Sequence, residues 1–282
     1  MTLGAVTLKK QLIMEKALEL FAKQGFEATS VQQITEHCGI SKGAFYLSFK
    51  SKDELITALI DHFMNQLTSD IDYVVRNTNK DDLLYTFYYT IFHTSYQHSD
   101  FARLLMKEQS HAFNNDLLEK LHYFDRLIGM TILSMLEQIY GEQVSETKYD
   151  LMYCIKGFMN TYSQLVVFYN VPLDLELLSN SLVEKTDLLA QHTTVPFISE
   201  EIIQLFTSPM NEAVTKDQIL DILAPKIEEM EDSMEKESLV LLKEQLEEQT
   251  LSPVIIRGLI ENIRNQPHCK WIAFLLRRYY EF

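Results

Sequence analysis

The residues best placed to do chemistry lie in one short string, Ser41-Lys42-Gly43-Ala44-Phe45-Tyr46. Ser41 is a helix-capping residue type, so the helix it opens begins with free backbone amides and the positive end of the peptide dipole, which together attract phosphate. Lys42 reaches a phosphate or a base edge, and Gly43 and Ala44 are small enough for the helix to enter a major groove closely. Ahead of this string, Ser30 stands three residues before Gln33, the spacing of a capping box, and Val31 and Ile34 carry a short helix that stops at Gly39. Two short helices joined through His37-Cys38-Gly39-Ile40-Ser41, with a glycine in the turn, read as a helix-turn-helix.

Other chemistries find less support. There is no glycine-rich phosphate loop, no His-Glu-x-x-His and no paired Cys-x-x-Cys. His93 and His98 are five apart and share a helix face poorly, and His37-Cys38 and His268-Cys269 are adjacent pairs that cannot both ligate from a regular helix. The expectation is therefore no catalytic residues, no metal, no cofactor and no enzyme activity.

The elements that hold the string in place are also legible. Residues 8–24 put Leu12, Ile13, Ala17, Leu20 and Phe21 on one helical face and end at Gly25. A third helix spans residues 42–48. Ser51 and Glu54 make a second capping box, and Leu55, Ile56, Leu59, Ile60, Phe63 and Leu67 continue a long helix toward Val75.

The chain has 282 residues, 25 Lys plus Arg against 40 Asp plus Glu, and only 8 Gly and 6 Pro, a balance that suits a helical globular protein of one large or two modest domains. Cys38, Cys154 and Cys269 are too far apart for a disulfide framework or a spaced zinc site, which fits a reducing compartment, and Cys38 reads as a buried structural thiol. No apolar run approaches the roughly 18 residues of a membrane span, so a cytoplasmic location without membrane contact is expected. Of the net charge of −15, residues 1–52 carry +3 from seven Lys against four Glu, leaving −18 for the remainder. That asymmetry suggests an anion-facing head on an acidic body.

The string Ala17-Leu18-Glu19-Leu20-Phe21-Ala22-Lys23-Gln24-Gly25-Phe26-Glu27-Ala28-Thr29-Ser30-Val31, then Ile34, Gly39 to Tyr46, and Phe49-Lys50-Ser51-Lys52-Asp53-Glu54-Leu55, resembles the DNA-binding domain of the TetR/AcrR family of bacterial transcription regulators. The resemblance covers about residues 8–60. It implies that Tyr46 places its hydroxyl on a backbone phosphate, that Lys52 holds another, and that Ser30, Gln32 and Gln33 bracket the same strand. Base readout would fall mainly to Lys42, Gly43, Ala44 and Leu47. Phe21, Phe26, Ile34, Ile40, Phe45, Phe49 and Leu55 read as the core of this small domain.

Beyond it, helices are expected over residues 83–95, 101–107, 117–140, 146–168 and 174–190. The stretch from Tyr73 to Tyr169, about a third of the chain, holds 18 of the 31 aromatics, an excess that must face something. The resemblance implies a ligand-binding and dimerising domain here, its last two helices forming a four-helix bundle with a second copy. Tyr88, Phe92, Tyr96, Phe101, Met106, Phe124, Met130, Tyr153, Phe158 and Tyr162 are the candidates to line a pocket for a hydrophobic or aromatic effector, each of them also readable as ordinary bundle packing.

Residues 191–282 lie outside the family's usual extent. Helices are expected over 199–206, 216–223, 226–249, 253–264 and 270–280. Residues 226–249 hold nine acids and three Lys around a broken stripe of Ile227, Met230, Met234, Leu241 and Leu242, which reads as a solvated amphipathic helix on the body or as a partner-binding helix. The last stretch, Trp271 to Leu276 with Arg277 and Arg278, should dock.

The expected protein is all-α. A three-helix helix-turn-helix domain (residues 1–52) joins a helical ligand-binding and dimerisation domain (53–190), followed by a helical extension of unknown role (191–282). It would act as a homodimeric repressor on a palindromic double-stranded operator, released by a small hydrophobic molecule. The alternatives are control by a protein partner through residues 196–282 and, more weakly, an enzyme of unknown type.

Overall fold

The computed structural model describes residues 3–108, 115–168, 173–206 and 214–282, and every regular element among them is helical. The N-terminal elements are α1 (Leu3–Gln24), α2 (Val31–Cys38), α3 (Lys42–Tyr46) and the long α4 (Lys52–Asn77). The turn between α2 and α3 has local causes. Gly39 takes a φ of 66°, the left-handed region that costs any other residue but asparagine dearly. Its amide donates to the Glu36 carbonyl at 3.2 Å and that of Ile40 to the Thr35 carbonyl at 3.0 Å, the paired bonds of a Schellman stop. Ser41, extended at φ −76° and ψ 155°, accepts the Ala44 amide and starts α3. At α4 the Ser51 hydroxyl accepts the Glu54 amide at 3.0 Å, whereas the Glu54 carboxylate accepts the amide of Lys50 at 2.6 Å rather than that of Ser51.

By their contacts the residues group into two compact units, Met1–Lys16 with Ile34–Ser69 and Pro209–Phe282, and Ala17–Gln33 with Asp70–Ser208. The second unit contains α5 (Lys80–Gln97), α6 (Ser99–Glu108), α7 (Asn115–Tyr140), α8 (Lys148–Phe168), α9 (Leu175–His192) and α10 (Glu200–Phe206). α5 is its centre, packing on α7, α8 and α9 and burying Leu83, Leu84, Phe87, Tyr88, Ile91 and Phe92. The Thr186 hydroxyl donates to the Leu182 carbonyl at 2.7 Å, so the Tyr88 hydroxyl, 2.8 Å away, is the donor to Thr186. The Tyr140 hydroxyl donates to Asp187 at 2.6 Å. Burial pushes both phenols above their ordinary range, and the bond to Asp187 raises Tyr140 further. α7 meets α8 closely at Gly129, where a Cβ would stand 3.3 Å from Met152 Sδ. Lys156 reaches across the same seam to Asp125 at 2.7 Å.

After α9 the chain leaves as a non-helical strap. The amides of Phe197 and Ile198 both donate to one oxygen of Asp150, in the first turn of α8, at 3.1 and 3.0 Å. The strap is held by its backbone, and Phe197 is left 79% exposed.

In the other unit, residues 214–282 form α11 (Lys216–Glu229), α12 (Met234–Glu248), α13 (Pro253–Arg264) and α14 (Lys270–Tyr279), each packed on its sequence neighbour, with α14 also returning to α11. The helix boundary expected at Pro225 moves. α11 runs through Pro225 to Glu229, and the break falls at residues 230–233, where Met230 is extended and Ser233 caps α12 by accepting the Lys236 amide. Pro225 is tolerated because it and Asp221, whose carbonyl loses its helical donor, are both exposed to water. The buried face of α12 is Leu239, Leu242 and Leu246, while Met234 and Leu241 of the expected stripe are exposed. Polar links fix α12 to α13 and to the turn after it: Asn262 donates to Ser238 at 3.4 Å and Gln266 to Glu235 at 3.2 Å. The C-terminal helix docks as expected, burying every residue from Ile272 to Arg277, with Arg277 paired to Glu261 and Arg257 stacked 4.7 Å over Phe282.

Candidate nucleic-acid interface

α3 is too short to be stable alone and is held by its inner side. Phe45 is fully buried and Phe49 nearly so, their rings 6.1 Å apart, and Ser48 is buried between them in sequence. With that side fixed, Ser41, Lys42 and Gly43 are exposed, Ala44 is half-buried, Tyr46 is 54% exposed and Leu47 80%. The Tyr46 ring meets Phe45 edge-on at 5.4 Å, which steadies the aromatic body without covering it. A Cβ at Gly43 would meet nothing nearer than the Ser41 hydroxyl at 3.8 Å, so packing within the fold does not require a glycine there. Lys52, at the first position of α4, is half-buried.

At the start of α2, Ser30, Gln32 and Gln33 are all exposed. The capping box read from the sequence is present in both directions: the Ser30 hydroxyl accepts the Gln33 amide at 3.2 Å, and Gln33 Oε1 accepts the Ser30 amide at 2.8 Å. Gln33 therefore spends its oxygen within the protein. Gln24 contributes here too, a residue the sequence reading passed over because nothing in its spacing marks it.

Gly39-Ile40-Ser41-Lys42-Gly43 has the lettering of a Gly-x-Ser-x-Gly nucleophile elbow. Ser41 stands between two helices as an N-cap instead of at a strand-to-helix turn, so the lettering belongs to the helix-turn-helix. Among the described residues no group of three His, Cys, Asp or Glu could hold a metal ion. No described helix is long and apolar enough to cross a membrane. Cys38 is half-buried rather than fully enclosed.

The expected effector residues divide. Tyr88, Phe92, Phe101 and Phe124 are buried, with Tyr88 and Phe92 stacked at 6.4 Å along α5. Phe158 and Tyr162 are half-buried, meeting edge-on at 6.4 Å. Tyr96, Met130 and Tyr153 are exposed on the outside of α5, α7 and α8 instead of pointing into the unit. The periodicity placed them on helices but could not say which face would be covered. The side chain of Met106 lies outside the described residues.

The model of the bacterial regulatory proteins of the tetR family matches residues 13–59, the segment that holds α2 and α3. The HTH-type transcriptional regulator YerO of Bacillus subtilis (strain 168) is 28% identical over 262 residues, 90% of this chain and 89% of that protein. A solved transcriptional regulator (TerR/AcrR family) from Aquifex aeolicus VF5 is 26% identical with a TM-score of 0.51, covering 64% of this chain and 99% of that one. Residues 13–59 carry the DNA-binding domain of the tetR family, and the chain is a DNA-binding transcriptional regulator with an N-terminal helix-turn-helix and a helical body. The TetR fold is shared by FadR from Bacillus subtilis, solved in complex with stearoyl-CoA, at 19% identity and a TM-score of 0.55 over 65% of this chain and 99% of that one. These solved structures leave about a third of the chain without a counterpart, whereas the match to YerO covers 90% of it and so takes in much of the C-terminal part.

Proposed function

We propose that the protein is a ligand-responsive repressor that binds a roughly palindromic operator as a homodimer and is released by a hydrophobic or aromatic small molecule. The observation that carries the DNA part is the division of α3 and the turn after it, with Phe45 and Phe49 held inside and Lys42, Gly43, Tyr46 and Leu47 outside. Ser41, Lys42, Tyr46 and Lys52, with Ser30, Gln32 and Gln33, would contact the backbone, and Lys42, Gly43, Ala44 and Leu47 the bases. Residues 1–52 would be the reading head, 53–190 the effector and dimer domain, and 191–282 the extension, in a cytoplasmic protein.

The dimer reading is supported by α8, whose exposed line of Tyr153, Gly157, Thr161, Gln164 and Leu165 recurs at helical spacing, and by the exposed Leu177 and Leu188 of α9. The effector reading is supported by the aromatic interior around Tyr88, Phe92, Phe101 and Phe124, and the stearoyl-CoA bound to FadR indicates the kind of molecule to try first. Release would be a population shift: an effector that prefers the conformer with misplaced heads lowers operator affinity by its differential binding energy and no more. Titrating long-chain acyl-CoA thioesters, free fatty acids and planar aromatic compounds into the protein bound to labelled DNA tests this. Release by at least one class supports it, and binding of such compounds with operator affinity unchanged counts against it.

One observation favours a second reading, control by a protein partner. The extension is a packed helical assembly that leaves Val254 79% exposed beside the half-exposed Ile255 at the start of α13. Tight operator binding with no small-molecule response would select it.

A further inference from the structure

The corner between α1 and α2 is tied by a polar knot in which Gln24 and Gln33 have fixed amide orientations. Gln24 Nε2 lies 3.3 Å from the Ala28 carbonyl, 3.1 Å from the Thr29 hydroxyl and 3.4 Å from Gln33 Oε1. Because a backbone carbonyl only accepts, the atom facing it must be the nitrogen. Gln33 Oε1 receives the Ser30 amide at 2.8 Å and the Ser30 hydroxyl at 3.1 Å, and because a backbone amide only donates, that atom must be the oxygen. Three donors, from Ser30 N, Ser30 Oγ and Gln24 Nε2, thus converge on one oxygen. All that the exposed Gln33 carboxamide has left to offer is its Nε2 and two N–H groups.

We propose that Gln24 is a positioning residue for DNA binding: by donating to Gln33 Oε1 it holds the Gln33 carboxamide with its oxygen committed to the α2 cap and its Nε2 presented as a donor to a backbone phosphate. The choice of glutamine follows from this dual demand. A glutamate at 33 would satisfy the cap equally well but would present a second anionic oxygen to the phosphate. Glutamine gives the cap a neutral acceptor and the DNA a neutral donor. The inference rests on the proposed use of the α2 first turn against phosphate and adds to it a residue that touches no DNA itself.

The test is a mutant cycle on full-length protein, with Gln24→Ala, Gln33→Glu, the double variant and Lys42→Ala as a reference. Each is titrated against a fluorescein-labelled duplex from upstream of its own gene and a random-sequence duplex of equal length at low salt, with thermal melts alongside. Phosphate contacts do not read sequence, so both duplexes should respond. Gln24→Ala is expected to weaken binding about three- to tenfold, the scale of one hydrogen bond, and Gln33→Glu by more, both folded at the assay temperature. The deciding reading is the double variant. A carboxylate has two equivalent acceptor oxygens and nothing to orient, so Gln24→Ala should cost nothing further in the Gln33→Glu background. If Gln24 merely braces the corner through Ala28 and Thr29, its loss persists there and the proposal is overturned. It is overturned equally if Gln33→Glu binds like wild type while Lys42→Ala is weakened. If none of the variants is weakened, the DNA-contact reading fails and the inference with it.

Discussion

Lys42 and Tyr46 lie one helical turn apart on the exposed side of α3, while Phe45 between them is buried. Neither side chain is needed to close the core, and both can donate a hydrogen bond to a phosphate oxygen. Replacing both by alanine is therefore expected to lower DNA affinity by tenfold or more, with the circular dichroism spectrum and melting temperature nearly unchanged. A fall in affinity that only tracks a lost fold would assign the pair to the core. At this scale the sequence is legible where chemistry is local. Ser30 and Gln33 can be read as a capping box because the motif closes within four residues. Gln24 cannot, because its reach to Thr29 and Gln33 depends on the turn at Gly25, whose φ of 91° brings nine residues of chain back on itself. Tyr96, Met130 and Tyr153 escape for another reason: a helical stripe says which residues share a face, and only packing says whether that face is covered.

Among the elements, helix starts and stops follow the sequence closely where a side-chain cap or a left-handed glycine sets them. Ser41 opens α3, Asp174 accepts the Leu177 amide at 2.9 Å to open α9, and Thr215 with Gln218 boxes the start of α11. The reading missed at Pro225, since a proline near the end of a solvent-facing helix loses one hydrogen bond that water replaces, and that is cheaper than stopping the helix. Between the helices expected over 174–190 and 199–206 nothing in the sequence marks how the strap is held, because its anchor, Asp150, lies 47 residues away from Phe197. Asp150→Ala should release two neighbouring backbone amides together, one of them the Ile198 amide of the Phe197–Ile198 peptide bond. Chymotrypsin is expected to cut after Phe197 several-fold faster in the variant than in wild type, read by mass spectrometry of timed digests. Equal rates would mean that the two hydrogen bonds do not restrain the strap.

For the whole molecule, folding buries two phenols whose ionisation it disfavours, Tyr88 and Tyr140. In the unfolded chain these groups titrate near pH 10; in the folded chain they titrate higher. Their contribution to stability is thus fully present below about pH 10 and is lost as the pH rises above it, because unfolding then releases protons. The melting temperature should fall as the pH rises from about 10 to about 12, and fall less in Tyr88→Phe, which leaves the Thr186 bond to Leu182 in place. An identical fall in both proteins would show that Tyr88 is not a source of the alkaline loss. The all-helical class was readable from composition and periodicity. The role of the C-terminal helices was not, since their sequence shows that they pack and does not show on what they act.

Whether the protein reads its own operator through α3 is tested by fluorescence anisotropy on labelled DNA from upstream of its own gene across a salt series. The expected result is binding at least a hundredfold tighter than to random DNA, on the scale usual for specific sites, weakening as salt rises and disappearing in the folded Lys42/Tyr46 variant. Binding no tighter than to random DNA, both on that region and on a genomic fragment library, would contradict it.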